Sequence, residues 1–545
     1  MCMLLYGFIF KAKGIMVIIQ NATYIHLNKD ILFQGLHLAI NKHEKIALIG
    51  NNGVGKSTLL KAIAAELKLT AGSIYCESTP YYIPQLLDRY DGMSIGQALA
   101  IDGKLKALQA ILDGQLDENN FEVLNDDWAL EDRVQQALSR WNLAGLRLDE
   151  PFKNLSGGQK TKVFLAGIDI HEPELILMDE PSNHLDMESR EQLYQFIENC
   201  NKTLFIVSHD RALLRLIPEM AEMSKTGISR YGGNYDFFAE QKEIALNALD
   251  QDVKSKEKEL RKAKEKEREA SERQNKLNAR GKKKQEKAGI PKILMGGLKN
   301  KAEGSSAKLK GVHQEKISGI QQNLSSLRAN LPDIDQMKFG FEESGLPIGK
   351  NLVELKNVNL IINGKALWKQ NLNFQLQYGD RVAIKGNNGS GKTTLIRLIL
   401  GEVPNYEGEL KKADFSFVYV DQSYSMVRSS NSIYDMAQSF NQSSLLEHEV
   451  KIRLNRFLFP KESWEKSCLV LSGGERMRLL LCCLNISSKA PDIIILDEPT
   501  NNIDIQNMEI LTAAIRSYQG TLIVVSHDQY FLEEVGIQKH ITLHY

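Results

Sequence analysis

The sequence GNNGVGKST, from Gly50 to Thr58, decides the fold of this chain. The apolar run KIALI precedes it and a helical pattern follows it, and strand, glycine-rich loop and helix in this order are typical of a phosphate-binding loop. Its glycines let backbone N–H groups converge on phosphate oxygens, and the positive end of the following helix favours the same anion. The stretch therefore predicts a P-loop domain of the α/β class.

Four motifs occur twice in the chain, in the same order. The phosphate loop recurs as GNNGSGKTT from Gly386 to Thr394. The other pairs are LSGGQ at Leu155 with LSGGE at Leu471, MDEPSNHLD at Met178 with LDEPTNNID at Leu496, and IVSHD at Ile206 with VVSHD at Val524. Repetition of this kind indicates two copies of one fold. The stretch from Gln85 to Leu155 is longer than its counterpart from Gln422 to Leu471, so we expect an extra helical segment in the first copy.

Each copy alternates short apolar runs with helical patterns. Continuous apolar runs are typical of strands that are buried on both faces. These runs cover residues 45–49, 175–178 and 204–207 in the first copy, and 382–384, 493–496 and 522–525 in the second. The alternation predicts a mostly parallel sheet covered by helices in each half.

Composition favours folded domains and excludes several classes of protein. The residues are 43% hydrophobic and 25% charged, which is ordinary for a globular protein. A chain of 545 residues is too long for one core. Lys+Arg and Asp+Glu number 68 each, so there is no overall nucleic-acid signature. The 6 cysteines form no CxxC pair, which argues against an iron–sulfur or zinc site and favours free thiols in a reducing cytosol. No run approaches the roughly 18 apolar residues of a membrane-spanning helix.

Paired residues supply the chemistry that nucleotide hydrolysis needs. Lys56 and Lys392 would reach the outer phosphates of a nucleotide, and the hydroxyls of Ser57 and Thr393 would bind magnesium. The alternative, a glycine-rich loop that arises by chance, does not explain two copies between strand and helix. The full cradles are predicted to be Gly50, Asn51, Asn52, Gly53, Gly55, Lys56, Ser57 and Thr58, and Gly386, Asn387, Asn388, Gly389, Gly391, Lys392, Thr393 and Thr394.

Two acidic pairs end apolar strands, Asp179-Glu180 and Asp497-Glu498. We expect each aspartate to hold magnesium and each glutamate to polarise the water that attacks the last phosphate. A surface acidic pair at a strand end is the competing interpretation. Both glutamates are present, so neither site is visibly disabled.

Histidine and glutamine complete each set. His209 and His527 follow apolar strands within SHD, and the repeated placement favours a position facing the outer phosphate over a purely structural role. Gln85 and Gln422 follow strand-like runs at matching places, and we interpret them as residues that sense magnesium or water.

These residues resemble an ATP-binding cassette protein, whose signature is LSGGQ. The resemblance implies ATP and Mg²⁺ as ligands, ATP hydrolysis as the activity, and two composite sites. In the first site, Ser472, Gly473 and Gly474 would cap the ATP held by the loop at Lys56. In the second, Ser156, Gly157 and Gly158 would cap the ATP held by the loop at Lys392. Cassettes stack adenine on an aromatic residue, and alignment places His26 and Ile362 there, with Tyr24 as a substitute in the first half.

A basic spacer separates the two cassettes. Over residues 261–310 there are 17 Lys+Arg against 6 Asp+Glu. Apolar residues at helical spacing predict two helices that pair as an antiparallel hairpin, whose tip is marked by Gly289-Ile290-Pro291 and Gly296-Gly297. The seam residues are Leu246, Leu249, Val253 and Leu260 on one helix and Ile317, Ile320, Leu324, Leu327 and Leu331 on the other, and the basic far end carries Arg280, Lys282, Lys283, Lys284, Lys287, Lys292 and Lys299.

Two cassettes joined by such a linker, with YGGNYDFF at Tyr231 to Phe238 before it, resemble the ABC-F subfamily. The domains are then predicted as an N-terminal extension at 1–15 from an upstream start, a first cassette at 16–240, a basic helical linker at 241–335 and a second cassette at 336–545. The resemblance implies a cytoplasmic, monomeric clamp whose linker reaches ribosomal RNA and peptidyl-tRNA, either in translation or in protection of the ribosome from antibiotics.

Other functions compete with this interpretation. A charge run is most often a solvated helix face. The cassettes of a membrane transporter would carry the same motifs, but they need no long basic hairpin between them. A DNA-repair ATPase interrupts one cassette with its coiled coil, whereas both cassettes are complete here. A basic scaffold that binds ATP with little turnover also fits the motifs.

Overall fold

The computed structural model describes residues 14–115, 117–288, 311, 314–327, 345–362, 364–387, 389–442, 445–487, 489–501 and 503–544. They divide into two compact units, one formed by Met1–Asp236 with Gln336–Tyr545 and the other by Phe237–Asp335. The first unit therefore contains both cassettes.

The first cassette follows the order expected from the apolar runs. Its strands are β1 (Ile15–Ile25), β2 (Ile31–Asn41), β3 (Lys45–Ile49), β4 (Ala71–Cys76), β5 (Tyr81–Ile83), β6 (Leu175–Asp179), β7 (Thr203–Val207), β8 (Glu219–Met223) and β9 (Ile228–Tyr231). Its helices are α1 (Lys56–Ile63), α2 (Ile95–Ala98), α3 (Asp102–Leu112), α4 (Glu118–Leu124), α5 (Leu130–Arg140), α6 (Gly157–His171), α7 (Met187–Asn199) and α8 (Arg211–Leu216).

The second cassette repeats this plan. Its strands are β10 (Asn351–Asn359), β11 (Ile361–Ile362), β12 (Lys365–Ala366), β13 (Leu372–Gln377), β14 (Arg381–Lys385), β15 (Glu407–Lys412), β16 (Phe417–Val420), β17 (Ile493–Asp497), β18 (Thr521–Val525) and β19 (Lys539–Thr542). Its helices are α11 (Lys392–Leu400), α12 (Ile433–Ser439), α13 (Glu447–Arg456), α14 (Gly473–Ile486), α15 (Ile505–Ser517) and α16 (Gln529–Glu534). Among the described residues, the first cassette has four α-helices between Gln85 and Leu155, α2 to α5, where the second has two between Gln422 and Leu471, so the predicted extra helical segment is confirmed.

The predicted parallel sheet is present in each half. In the first cassette the strand order is β5-β6-β7-β3-β8-β9, parallel as far as β8 and antiparallel at β9. In the second the order is β16-β17-β18-β14-β19, parallel throughout. All residues of β6 and β7 are buried, which explains the continuous apolar runs at 175–178 and 204–207 within them.

A smaller antiparallel sheet completes each cassette, in the orders β2-β1-β4 and β13-β10-β15. In the first cassette one apolar cluster joins Val17 of β1, Phe33 of β2, Leu59 of α1 and Leu177 of β6. The helix that follows the phosphate loop is thus packed between the two sheets. This packing fixes the direction in which the helix N-terminus points.

The basic residue that opens each phosphate-loop strand satisfies the carbonyl groups at a helix end. Lys45 Nζ donates to the carbonyl oxygens of Ile197 (2.7 Å) and Glu198 (3.0 Å) in α7. Arg381 donates to those of Ile515 (3.1 Å) and Tyr518, at the end of α15. Because the last carbonyls of a helix have no partner within it, these contacts tie the helix to the strand that leads into the loop.

The second unit contains most of helix α9 (Tyr235–Ala288), which begins in the first unit, and a second helix, α10, at residues 314–327. Val253 of α9 and Ile317, Ile320 and Leu324 of α10 are buried, and Leu260 and Leu324 line one cavity of about 450 Å³. Burial of Val253, Ile317, Ile320 and Leu324 fits the predicted seam, and the pairing of the two helices as a hairpin stays a prediction. The predicted tip at 289–297, Leu331, Lys292 and Lys299 lie outside the described residues, as do the side chains of Lys282, Lys283, Lys284 and Lys287.

A buried indole supports the second phosphate loop. Trp368 Nε1 donates to the carbonyl oxygen of Ser390 (3.0 Å). The Trp368 N–H donates to Asn359 Oδ1 (3.1 Å), and Asn359 Nδ2 donates to the Trp368 carbonyl oxygen (2.8 Å). Trp368 is 1% exposed. In the first cassette Phe33, which offers no donor, lies against the corresponding loop glycine, Gly55.

Trp368→Phe should therefore destabilise the second cassette, because it leaves the Ser390 carbonyl buried without its donor. We expect a loss of about 1 to 3 kcal/mol and a lower melting temperature of the full chain by calorimetry. Trp464→Phe is the control, because its Nε1 donates to the Phe459 carbonyl away from the loop (2.8 Å). ATP should raise the melting temperature of Trp368→Phe less than that of the control; an equal rise would contradict the assigned support of the loop.

Candidate nucleotide-binding sites

A cavity of about 380 Å³ lies over the first phosphate loop. It is lined by His26, Leu32, Asn52, Gly53, Gly55, Lys56, Ser57, Thr58, Gln85, Asp179, Glu180, Val207, His209 and Ser472. All of these belong to the first cassette except Ser472, which opens LSGGE in the second. The structure thus brings the residues predicted for the first site into one cavity, with one of the three predicted capping residues at its wall.

The phosphate loops need glycine for both conformation and space. Gly55 has a φ of 103°, and a Cβ there would lie 2.8 Å from the ring of Phe33. Gly391 has a φ of 85°, and its Cβ would lie 2.9 Å from Leu367. Both values are in the left-handed region, which side chains other than glycine adopt at a cost. The start of the helix after each loop can therefore lie close to Phe33 of β2 in the first cassette and to Leu367 in the second.

The loop lysines are folded back onto their own loops. Lys56 Nζ donates to the carbonyl oxygens of Gly50 (2.6 Å) and Asn51 (3.3 Å), and Lys392 Nζ to those of Gly386 (2.7 Å) and Asn387 (3.4 Å). Burial lowers the pKa of Lys56, and the nearby carboxylates oppose this shift. A phosphate would offer the ammonium group the charged partner that carbonyl oxygens do not.

Both glutamates after the strands sit on left-handed backbone. The φ angles are 53° at Glu180 and 49° at Glu498. Each N–H is held by a carbonyl at the end of the neighbouring strand, Val207 for Glu180 and Val525 for Glu498, at 2.8 Å. Such backbone costs energy for residues other than glycine, and it is typical of functional positions. The same strain at both copies indicates that the direction of these side chains matters.

Each glutamate contacts the histidine of SHD. The distance from histidine Nε2 to glutamate Oε1 is 3.5 Å for His209 and Glu180, and 3.3 Å for His527 and Glu498. Burial raises the pKa of Glu180 to about 8, with a further contribution from Asp179, and burial raises the pKa of Glu498 to about 7. Burial also lowers the pKa of His209 well below its usual value and that of His527 to about 3. Near neutral pH each pair thus joins an uncharged imidazole to a carboxyl group that can exchange a proton.

Two tyrosines that were not among the predicted site residues bind the aspartates of the acidic pairs. Tyr82 donates its hydroxyl to Asp179 Oδ2 (3.3 Å), and Tyr419 donates to Asp497 Oδ2 (2.9 Å). Each tyrosine lies three residues before the predicted glutamine, Gln85 or Gln422. This matching position in both copies is the signal that could have revealed them.

A hydrogen bond crosses from the second cassette to the first phosphate loop. Asp504 Oδ2 accepts from the backbone N–H of Asn52 (2.8 Å), while its Oδ1 accepts from the N–H of Asn507 (2.8 Å) at the start of α15. Asp504 ends the motif LDEPTNNID. One carboxylate therefore caps its own helix and binds the loop of the other half.

The LSGGQ-type motifs begin helices with capping boxes. Ser156 Oγ accepts from the N–H of Gln159 (3.3 Å) and Ser472 Oγ from that of Glu475 (3.3 Å), and the side chains of Gln159 and Glu475 bind the serine N–H groups in return. The motif thus sets the first turns of α6 and α14. Because Ser472 lines the first cavity, the positive end of α14 is available to an anion there.

The second site is assembled differently in its details. Lys392 Nζ lies 3.5 Å from His527 Nε2. The Thr393 hydroxyl donates to Asp497 Oδ2 (3.3 Å), which matches the hydrogen bond between Ser57 and Asp179 in the first site. A cavity of about 620 Å³ beside this loop includes Met187 of the first cassette, and Ser156 is not among its lining residues. Gln422 is exposed, whereas Gln85 lines the first cavity, and Asn388 lies outside the described residues. The capping of this site by Ser156, Gly157 and Gly158 stays a prediction.

A base subsite is indicated at the first site. His26 and Leu32 line the cavity beside the loop, and the Tyr24 and His26 rings lie nearly perpendicular with centroids 5.4 Å apart. His26 therefore lies at the predicted position, and adenine stacking on His26 or on Tyr24 stays a prediction. The side chain of Ile362 lies outside the described residues.

Comparison with known proteins identifies the class that this fold and these sites define. The ABC transporter family model matches residues 33–183 and 369–501, one span in each cassette. The ATP-binding protein Uup of Buchnera aphidicola subsp. Schizaphis graminum is 30% identical over 532 residues, spanning 95% of this chain and 79% of that protein. ABC transporter F family member 5 of Arabidopsis thaliana is 26% identical over 541 residues, with coverages of 93% and 71%.

The solved structure of archaeal aABCE1, described as a ribosome recycling factor and bound to the stalk protein aP1, shares the two-cassette fold. Its TM-score is 0.56 at 17% identity, over 96% of this chain and 87% of that one.

The chain belongs to the ATP-binding cassette family and, within it, to the ABC-F type with two cassettes in tandem. It is an ATPase. In the described part of the chain, no helix is both long and apolar enough to cross a membrane.

Asp504→Asn should separate the two tasks of this carboxylate. Asparagine can still cap α15 through Oδ1, but an NH₂ group then takes the place of Oδ2 and has no lone pair for the Asn52 N–H. We expect the apparent KM for ATP to rise about fivefold to tenfold in a steady-state ATPase assay. Asp117→Asn is the matched control, because Asp117 caps α4 within the first cassette. An unchanged KM in Asp504→Asn would refute a role for the bond between the halves in ATP binding.

Proposed function

We propose that the protein is an ATP-driven clamp whose two halves close around nucleotide and act on the ribosome. The observation that carries the proposal is the composite first site, in which Ser472 of the second cassette and Lys56 of the first line one cavity. ATP bound there would contact both halves, so its affinity is higher for the closed state and it favours closure. Hydrolysis would remove that preference and release the clamp.

The residues around Asp179 fit a magnesium ion, and we extend this assignment to Asp497. Asp179 Oδ1 is buried and has no hydrogen-bond partner among the described residues, which is costly unless a cation completes the site. Ser57 with Asp179, and Thr393 with Asp497, would hold the ion, with Gln85 and Gln422 beside it. Bound Mg²⁺ supplies positive charge to the outer phosphates.

The protein's own groups would handle the water and its proton. Glu180 and Glu498 are each aimed by left-handed backbone, and their carboxyl groups accept a proton near neutral pH. His209 and His527 lie against them as neutral rings and would orient the attacking water or the last phosphate. The loop lysines and the positive end of the capping helix would bind the phosphate charge.

The basic linker is the part that we propose meets RNA. Arg261, Lys262, Lys264 and Arg268 on the described part of α9 are exposed, and the basic residues continue beyond it. Lysine and arginine gain affinity from phosphate groups by releasing counterions. With ABC-F membership, this charge supports ribosomal RNA and peptidyl-tRNA as targets, in the cytoplasm, for a single chain whose cassettes pair with each other.

The alternative is a cassette subunit that powers a membrane transporter. The ATP sites would be the same in that case, so they do not distinguish the two functions. The long basic hairpin favours the ribosome, because a transporter subunit has no use for it. An ABC-F protein could act in translation or in antibiotic protection, and either role would use the same contacts between the linker and ribosomal RNA.

The hydrolysis-deficient protein should accumulate on ribosomes. Glu180→Gln with Glu498→Gln keeps the shape and the phosphate contacts but removes the proton acceptor, so we expect ATPase activity to fall at least a hundredfold. ATP should then increase co-sedimentation with ribosomes relative to the parent. Retained ATPase activity would refute the assigned role of the glutamates, and ATPase loss without ribosome binding would favour the transporter alternative.

Neutralising the linker tip should weaken binding to ribosomes in a salt-dependent way. We would change Lys282, Lys283, Lys284, Lys287, Lys292 and Lys299 to glutamine. Each lost phosphate contact should reduce the slope of log affinity against log salt by about 0.7 to 0.9. The control changes the same number of exposed cassette lysines, Lys29, Lys68, Lys153, Lys225, Lys350 and Lys461. Equal slopes for the two variants would remove the tip from the mechanism.

A further inference from the structure

Two arginines on one short helix reach from the first cassette to the second. Arg211 Nη1 donates to both carboxylate oxygens of Glu534, at 3.0 Å and 2.9 Å. The guanidinium carbon of Arg215 lies 3.8 Å from the centroid of the Tyr530 ring. The arginines belong to α8, which follows SHD in the first cassette, and their partners belong to α16, which follows SHD in the second. The two corresponding helices therefore meet across the halves.

The charges on these helices differ between the copies in a complementary way. The sequence after SHD is RALLRL in the first cassette and QYFLEE in the second, so Gln529 and Glu533 stand where Arg211 and Arg215 do. Two arginine-bearing helices would repel each other, whereas the arginines of α8 and the acidic residues of α16 attract each other. The Arg211 side chain is 9% exposed, and its Nε has no hydrogen-bond partner among the described residues. Its buried charge therefore depends on the carboxylate of the other half.

Arg215 has a second partner in addition to Tyr530. Its Nε donates to Asp236 Oδ1 (2.7 Å), and Asp236 lies in the first turn of α9. An acidic residue in the first turn stabilises a helix through its dipole. The same guanidinium group therefore stacks on the second cassette and holds the first turn of the long helix.

We propose that Arg215, supported by the Arg211–Glu534 pair, is a clasp that stabilises the first turn of α9 when the cassettes close. With Tyr530 against it, the guanidinium group is immobilised beside Asp236. When the halves part, Arg215 loses its stacking partner, regains rotamer freedom and holds Asp236 less well. Nucleotide state would thus reach the beginning of the linker helix. The inference rests on the proposed function, since it requires ATP-driven closure.

The experiment uses the full chain with Glu180→Gln and Glu498→Gln, so that ATP stays bound. Closure is measured as the distance between spin labels introduced as unnatural amino acids at the exposed residues Tyr75 and Phe417. Stability of the first turn is measured by hydrogen exchange of the amides at 235–239. The test variant is Tyr530→Leu, and the controls are Tyr530→Phe, which keeps the ring, and Glu533→Gln, whose side chain pairs with Gln529 in its own helix.

We expect ATP to shorten the label distance in all variants. In the parent and both controls, ATP should slow exchange at 235–239 about tenfold, and in Tyr530→Leu by less than about twofold. Asp236→Asn weakens the other end of the same contact and should give a similar loss, so the test does not depend on one variant.

Equal slowing in Tyr530→Leu and in the parent would overturn the clasp. Failure of Tyr530→Leu to close would also overturn it, because the contact would then cause closure rather than transmit it. If ATP leaves the label distance unchanged in the parent, the clamp mechanism itself fails. That outcome is distinguishable, because it appears before any change to the clasp is made.

Discussion

The backbone N–H of Asn52 donates to the carboxylate of Asp504 at 2.8 Å, and this bond joins a phosphate loop to the other half of the chain. The loop can bind phosphate only if its N–H groups point inward, so the residues around the loop must hold it rigidly. On one side these residues form the apolar cluster that packs α1 between two sheets. On the other side they are Asp504 and Ser472 of the second cassette. The first site therefore depends on how the two halves meet.

Duplication does not make the two halves equivalent. Trp368 supports the second loop where Phe33 lies against the first, and Gln85 lines a cavity while Gln422 is exposed. The helices after SHD carry arginines in one half and acidic residues in the other. These differences lie at the loops and at the contact between halves, while the buried strands β6 and β17 remain alike in length and burial. The strands maintain the fold, and the differences lie around the two sites.

The sequence predicted the parts of this structure that repeat or that follow a period. The strands and the phosphate loops could be placed because continuous apolar runs and glycine spacing are local signals. The placement of Ser472 opposite Lys56 came from the family resemblance. The bonds of Tyr82 and Tyr419 to the aspartates escaped prediction, although the duplicated position was readable. The contacts Asn52–Asp504 and Arg211–Glu534 could not be derived, because they join residues hundreds of positions apart and depend on how two domains pack.

Photocrosslinking from the last phosphate tests the composite site most directly. ATP carrying a photoreactive group on its γ-phosphate would be bound to a Lys392→Ala variant, so that only the first site holds nucleotide, and labelled peptides would be identified by mass spectrometry. The account predicts label on the second-cassette peptide that contains Ser472, and loss of that label in a Lys56→Ala, Lys392→Ala double variant. Label confined to peptides of the first cassette would contradict it.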